Sequence, residues 1–114
     1  MSIIDRVLKS YNDKGRRRIE VPEWPDDEKN PTILYSTPCT LAEKNLMLKQ
    51  AGKESKDLKC MAWIVCRKAE LENGEKAFKM SEVHDLARGG EADVISRIAQ
   101  EITDWDSVED SEKN

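Results

Sequence analysis

The chain has one histidine, one phenylalanine and three cysteines, and each scarcity closes off a class of chemistry. With His84 alone, a triad needing two histidines or a His-rich metal cage is excluded. A Cys–His nucleophilic pair would have to join His84 to Cys39, Cys60 or Cys66, and none of these sits in a Gly-rich turn or at an evident helix start, where a thiolate is favoured. Cys60 and Cys66 lie six residues apart, about 240° round a helix, so they face different ways and do not share a metal. An odd number of cysteines without paired spacing makes no disulfide framework, and the thiols read as small buried hydrophobes in a reduced compartment. No phosphate loop is present, Gly89-Gly90 reading as a helix stop. No stretch approaches the roughly 18 to 20 apolar residues that span a bilayer, and the N-terminus lacks an apolar signal segment. Carboxylates abound, but in surface-like runs with no apolar pocket to shift a pKa. The expectation is a non-enzyme with no catalytic residue, no metal and no cofactor.

Charge is what the chain has in quantity. Of its 114 residues 37% are charged and 38% hydrophobic, which allows one soluble domain with a modest core. A domain this small buries a reduced share of its surface, so self-association would help it. From Asp104 to Asn114 five acidic residues stand against Lys113, which accounts for the whole formal charge of −4 and leaves the rest balanced. That balance argues against nucleic acid as a partner, because phosphate contacts need a clustered basic surface. Arg16-Arg17-Arg18 is the one basic run. Acidic residues follow it directly and no aromatic interleaves it, so it reads as a solvated or ion-paired stretch.

The stretch from Ser55 to Gly74 organises the rest. Ser55 is a plausible N-cap and Asn73-Gly74 suits a left-handed C-cap. At about 100° per residue Leu58, Met61, Ala62, Val65 and Ala69 share one face, while Cys60, Trp63, Ile64 and Leu71 fall elsewhere. The middle turns are apolar nearly all round, so a helix here must be covered on more than one side, by its own chain or by a partner. A strand over Cys60 to Cys66 is the rival reading of the same apolar run. Length and caps favour the helix.

On either side of it the pattern is regular. Ser2 caps a first helix whose Ile3, Ile4, Val7, Leu8 and Tyr11 recur at i, i+1, i+4, i+5 and i+8, with Asn12 to Gly15 as its stop. Ile19 and Val21 alternate with charge in a short strand that Pro22 confines to an edge. Thr32 to Ser36 is a second strand able to pair with it as a hairpin, which alone is marginal and must lie on the helices or receive another chain. Thr40-Leu41-Ala42-Glu43 is a capping box opening a helix with Leu41, Leu46, Met47, Leu48 and Ala51, ended by Gly52. Lys76 to Met80 is expected to be extended with Phe78 in the core, and Ser81 to cap a short helix holding Val83, Leu86 and Ala87. Val94, Ile95, Ile98, Ala99 and Ile102 repeat the first helix's stripe in the last. The fold class is therefore mainly α, a small domain of four to five helices with a short N-terminal β-hairpin over residues 1–103. Residues 104–114 form an acidic tail, expected to be flexible and apolar only at Trp105 and Val108.

Aromatic and apolar residues in polar surroundings are common anchors at protein interfaces. By that criterion the candidate protein-binding residues are Trp24, the edge-strand residues Ile33 and Tyr35, and Trp63, Ile64 and Leu71 of the organising helix.

Arg18-Ile19-Glu20-Val21-Pro22-Glu23-Trp24-Pro25 resembles the V-P-E-W opening of tail assembly chaperones of long-tailed (siphovirus-type) bacteriophages. The apolar helix leading into Leu71-Glu72-Asn73-Gly74-Glu75-Lys76-Ala77-Phe78 is similar to that family's acidic-x-x-Gly, basic, Phe segment, with Asn73 where the family has an acidic residue. Met80 to Leu86 and the Val94-to-Ile102 helix follow in the family's order, so the resemblance spans residues 16 to 103. It implies a small helical protein of the host bacterial cytoplasm, made late in infection and absent from the mature virion. Such a chaperone coats the long, apolar tape measure protein, keeps it soluble and helps recruit tail tube protein. The family often makes a longer product by translational frameshifting, through which tail tube protein is bound, and Glu112-Lys113-Asn114 is compatible with a slippery A-rich run. Two alternatives remain open: a structural phage adaptor or oligomeric tail subunit, and a small helical DNA-binding regulator working through the arginine triplet.

Overall fold

The computed structural model describes residues 2–51 and 58–104. In chain order its elements are α1 (Ile3–Asp13), β1 (Arg17–Val21), β2 (Thr32–Ser36), α2 (Leu41–Gln50), α3 (Lys59–Lys68), a 3₁₀ turn (Met80–Glu82), α4 (Val83–Gly89) and α5 (Ala92–Thr103). The fold is mainly α with a two-stranded antiparallel hairpin, as the patterning predicts.

The hairpin pairs Arg17 with Ser36, Ile19 with Leu34 and Val21 with Thr32. Period-2 alternation puts Ile19, Val21, Leu34 and Ser36 on a buried inner face, and Arg18, Glu20, Ile33 and Tyr35 on the outer one. The inner face closes one side of a core that α3 and α5 fill. Ala62, Ile64, Val65 and Cys66 of α3 are buried, so the helix is covered nearly all round, with α2, α4 and α5 packed against it. Val94, Ile95, Ile98, Ala99 and Ile102 of α5 are buried without exception. Arginines tie this helix to the hairpin. Arg17 Nη1 donates to the Glu101 carbonyl at 3.0 Å, supplying positive charge where the helix dipole is negative. Arg97 holds Glu23 in a fork, 2.6 and 3.1 Å, and reaches the Glu20 carbonyl at 3.2 Å.

Three sequence expectations need correcting. First, α3 ends at Lys68, six residues before Gly74. Ala69 turns extended (φ −66°, ψ 131°) because Glu70 leaves the helical ladder to pair with Tyr35, donating at 2.7 Å and accepting at 2.8 Å. Asn73-Gly74 then closes a tight turn whose arms meet between Leu71 and Glu75 (2.8 Å), and Leu71 lies in that turn instead of on a helix. Ser55, the expected cap, lies outside the described residues, as do Gly52 and the acidic tail beyond Asp104.

Second, Ser81 lies within the 3₁₀ turn and caps nothing. The chain enters α4 through Lys79, whose backbone N–H donates to the Glu82 carboxylate at 2.6 Å. Third, α2 is capped as expected by the reciprocal Thr40–Glu43 box, but Leu41, Leu46 and Leu48 are exposed and only Met47 and Ala51 pack inward. Leu41 and Leu48, seven residues apart, share one face, which points outward, and Leu46 lies about 140° from Leu41. Between α4 and α5 the chain turns at Gly90, where an added Cβ would sit 2.9 Å from the Leu86 carbonyl and 2.7 Å from Ile95 Cδ1. Glycine is what lets the two helices close on each other there.

Candidate protein-binding surfaces

A contiguous exposed apolar stripe lies on α1. Ser2 Oγ accepts from the Asp5 N–H at 3.3 Å, and the Asp5 carboxylate takes the Ser2 N–H at 3.3 Å, so α1 is closed by a complete capping box. Its stripe is unmistakable in the sequence, yet none of its residues is buried: Ile3 is 75% exposed, Ile4 60%, Val7 54% and Leu8 56%. Its root is fastened. The Tyr11 hydroxyl donates to the Pro38 carbonyl at 2.7 Å, and Gly15, at φ +65°, turns the chain out of the helix toward β1. An 11-residue helix without tertiary cover is marginal in water. A stripe of this kind is stable once something lies on it.

A second apolar feature lies between α2, α3 and α5. There Met47, Leu48, Cys60, Met61 and Ala99 line an open groove of about 420 Å³. Lys44 of α2 and Asp104, which caps the end of α5, also line it. A smaller cleft of about 340 Å³ runs between α3, α4 and the start of α5, past Met61, Ile95, Lys59, His84 and Arg88.

The residues expected at the interface divide three ways. Ile64 is fully buried in the core, a correction that follows from α3 being enclosed by the chain's own helices and hairpin. Trp24 and Trp63 are half-buried against the same core. Trp24 sets its ring edge-on to Phe78 at 6.4 Å and 80°, and its carbonyl accepts the Thr32 hydroxyl. Ile33 and Tyr35, on the outer face of the hairpin, are half-buried as well, and Leu71 is exposed. Tyr35 and Leu71 are brought together beside Arg16, whose guanidinium stacks on the Tyr35 ring at 4.7 Å and donates to the Leu71 and Glu72 carbonyls at 3.0 and 2.9 Å. Arg18 pairs with Glu20 at 2.5 Å. All three arginines of the triplet are thus engaged within the chain, Arg17 with α5.

Sequence reasoning passed over Lys68. Its Nζ is buried where α2 begins, 2.8 Å from Thr37 Oγ1, 3.0 Å from Glu43 Oε1 and 3.4 Å from the Pro38 carbonyl. Burial pushes the Glu43 carboxyl up, but the Thr40 backbone N–H and the Lys68 ammonium outweigh it and hold the group below the usual carboxylate range. The signal was faint: a lysine at the end of an apolar helix, 25 residues after a capping-box glutamate. Burial raises the Cys66 thiol to about 11, with Glu82 adding to it, and burial raises Cys39 too, so neither is poised as a thiolate. Among the described residues no group of three or more His, Cys, Asp or Glu side chains could hold a metal, and no helix is long and apolar enough to cross a membrane.

No protein-family model, curated protein or solved structure matches this chain.

Proposed function

We propose that the protein is an assembly chaperone of the kind its motifs resemble, binding a long, helical, apolar client such as a phage tape measure protein and keeping it soluble until tail tube protein is recruited. The observation that carries this reading is the capped helix α1 with Ile3, Ile4, Val7 and Leu8 of its apolar stripe in solvent. Isolated exposed hydrophobes are ordinary, but a contiguous stripe on a capped amphipathic helix is a docking element, one that its client would also stabilise. Covering Ile3, Ile4, Val7 and Leu8 would contribute roughly 4–8 kcal/mol before the costs of association, enough for reversible capture and too little for permanent attachment. Leu41 and Leu48 of α2 add exposed apolar surface. Around them a surface dense in both signs of charge keeps the loaded complex dispersed.

The test is co-expression with a tape measure protein. The client should move to the soluble fraction with the wild-type chain and not with a Val7→Asp/Leu8→Asp variant. A client equally insoluble with and without the protein overturns the reading. A structural tail subunit, the competing assignment, would be found by mass spectrometry in purified virions, where a chaperone is missing.

A further inference from the structure

We infer that α1 is a latched arm: the Tyr11 hydroxyl on the Pro38 carbonyl sets its direction, and when that bond opens the helix turns as a unit about Gly15. The device belongs to the chain by itself, whatever its client.

The chain is anchored very differently on the two sides of Gly15. From Arg16 onward it is fixed to the body of the protein. The Arg16 guanidinium stacks on Tyr35 at 4.7 Å, donates to the Leu71 and Glu72 carbonyls at 3.0 and 2.9 Å, and pairs with Glu70 at 3.4 Å. Arg17 then opens the ladder opposite Ser36. Before Gly15, no residue of α1 is buried. The helix closes its own first turn through Ser2 and Asp5, so its cap travels with it. Gly15 itself suits a joint. It holds φ +65°, in the left-handed region, and a Cβ added there would meet nothing within 4 Å, so the backbone has room to rotate.

The acceptor of the latch is rigid. The Pro38 carbonyl also takes the Lys68 ammonium at 3.4 Å, and Lys68 is buried and held by Thr37 Oγ1 at 2.8 Å and Glu43 Oε1 at 3.0 Å. The bond from Tyr11 therefore ties α1 to the junction of α2 and α3. Tyr11 lies about 6 Å along the helix from the joint and Ile3 about 18 Å, so a displacement at the latch is magnified about threefold at the far end of the stripe. A hydrogen bond between neutral groups favours the closed form by roughly 2- to 12-fold, so closed and open arms coexist in solution.

The test is Tyr11→Phe, which removes the hydroxyl and keeps the ring. In weakly aligned, isotope-labelled wild-type protein, the backbone dipolar couplings of residues 4–10 should fit the frame defined by α3 and α5 at more than half their full amplitude. In the variant they should fall to less than half of the wild-type values. The couplings of α3 and α5 and the urea midpoint should stay as they were, which separates loss of direction from loss of fold. The carbon chemical shifts of α1 should remain helical. Couplings of α1 unchanged in the variant would overturn the latch, and so would wild-type couplings already averaged below half. Helical shifts lost in the variant would overturn the turning of α1 as a unit.

Discussion

Lys68 and Glu43 bind three segments at one point: α3, the start of α2 and the Thr37–Pro38 turn to which Tyr11 also attaches. The lysine is 6% exposed and the glutamate side chain 19%, so removing the negative charge strands a positive one in a poor solvent. Glu43→Gln preserves the capping box, since glutamine also fills that position, and isolates the charge. It should cost about 3 kcal/mol at neutral pH, measured by urea unfolding. Because the folded carboxyl is held below its unfolded value of about 4.3, its contribution is complete above that pH. It is lost as pH falls through the folded value, so wild type and variant should converge in stability in that acid range. A difference unchanged down to pH 2 would contradict the pairing.

At the scale of elements, α1 and α5 carry apolar residues at identical intervals and meet opposite fates. In α5 every stripe residue is buried, and in α1 none is. Ile98→Ala should therefore cost about 3 kcal/mol. Leu8→Asp should change the unfolding free energy of the dilute, monomeric protein by less than about 0.5 kcal/mol. Comparable losses in urea titrations would mean that α1 is packed on its own domain. Periodicity and capping made both helices, the hairpin and its inner face readable from residues alone, because those signals are local. Where α3 stops was not readable: Ala69 and Glu70 continue an acceptable helical pattern, and only the strand beside them recruits Glu70 away. The candidate surface was half-legible for the same reason. Of the residues named, Leu71 is exposed, Ile33 and Tyr35 are half-buried and Ile64 is sealed, and the α1 stripe was seen as a stripe with nothing local to say that it faces water.

For the whole molecule, α3 is the hub against which α2, α4 and α5 are laid, with the hairpin clamped to α5 by Arg17 and Arg97. Stability should be graded accordingly. In hydrogen exchange on dilute protein, amides of Ile64 to Lys68 and of Ile98 to Ile102 should exchange last, through global unfolding. Those of Val7 to Tyr11 should exchange orders of magnitude faster and slow when a partner covers the stripe. Equal protection of α1 and α3 in the isolated chain would remove the division into core and docking arm. What the sequence alone determined was which segments are helix or strand, where most of them begin, and that the chain carries apolar faces in excess of a small core. Only the tertiary structure decided which of two equivalent stripes is spent inside, because burial is set by what packs on a face: α3 and the hairpin close on α5, the hairpin tied there by Arg17 and Arg97, whereas no residue of α1 is buried and its root is fastened through Tyr11 to Pro38.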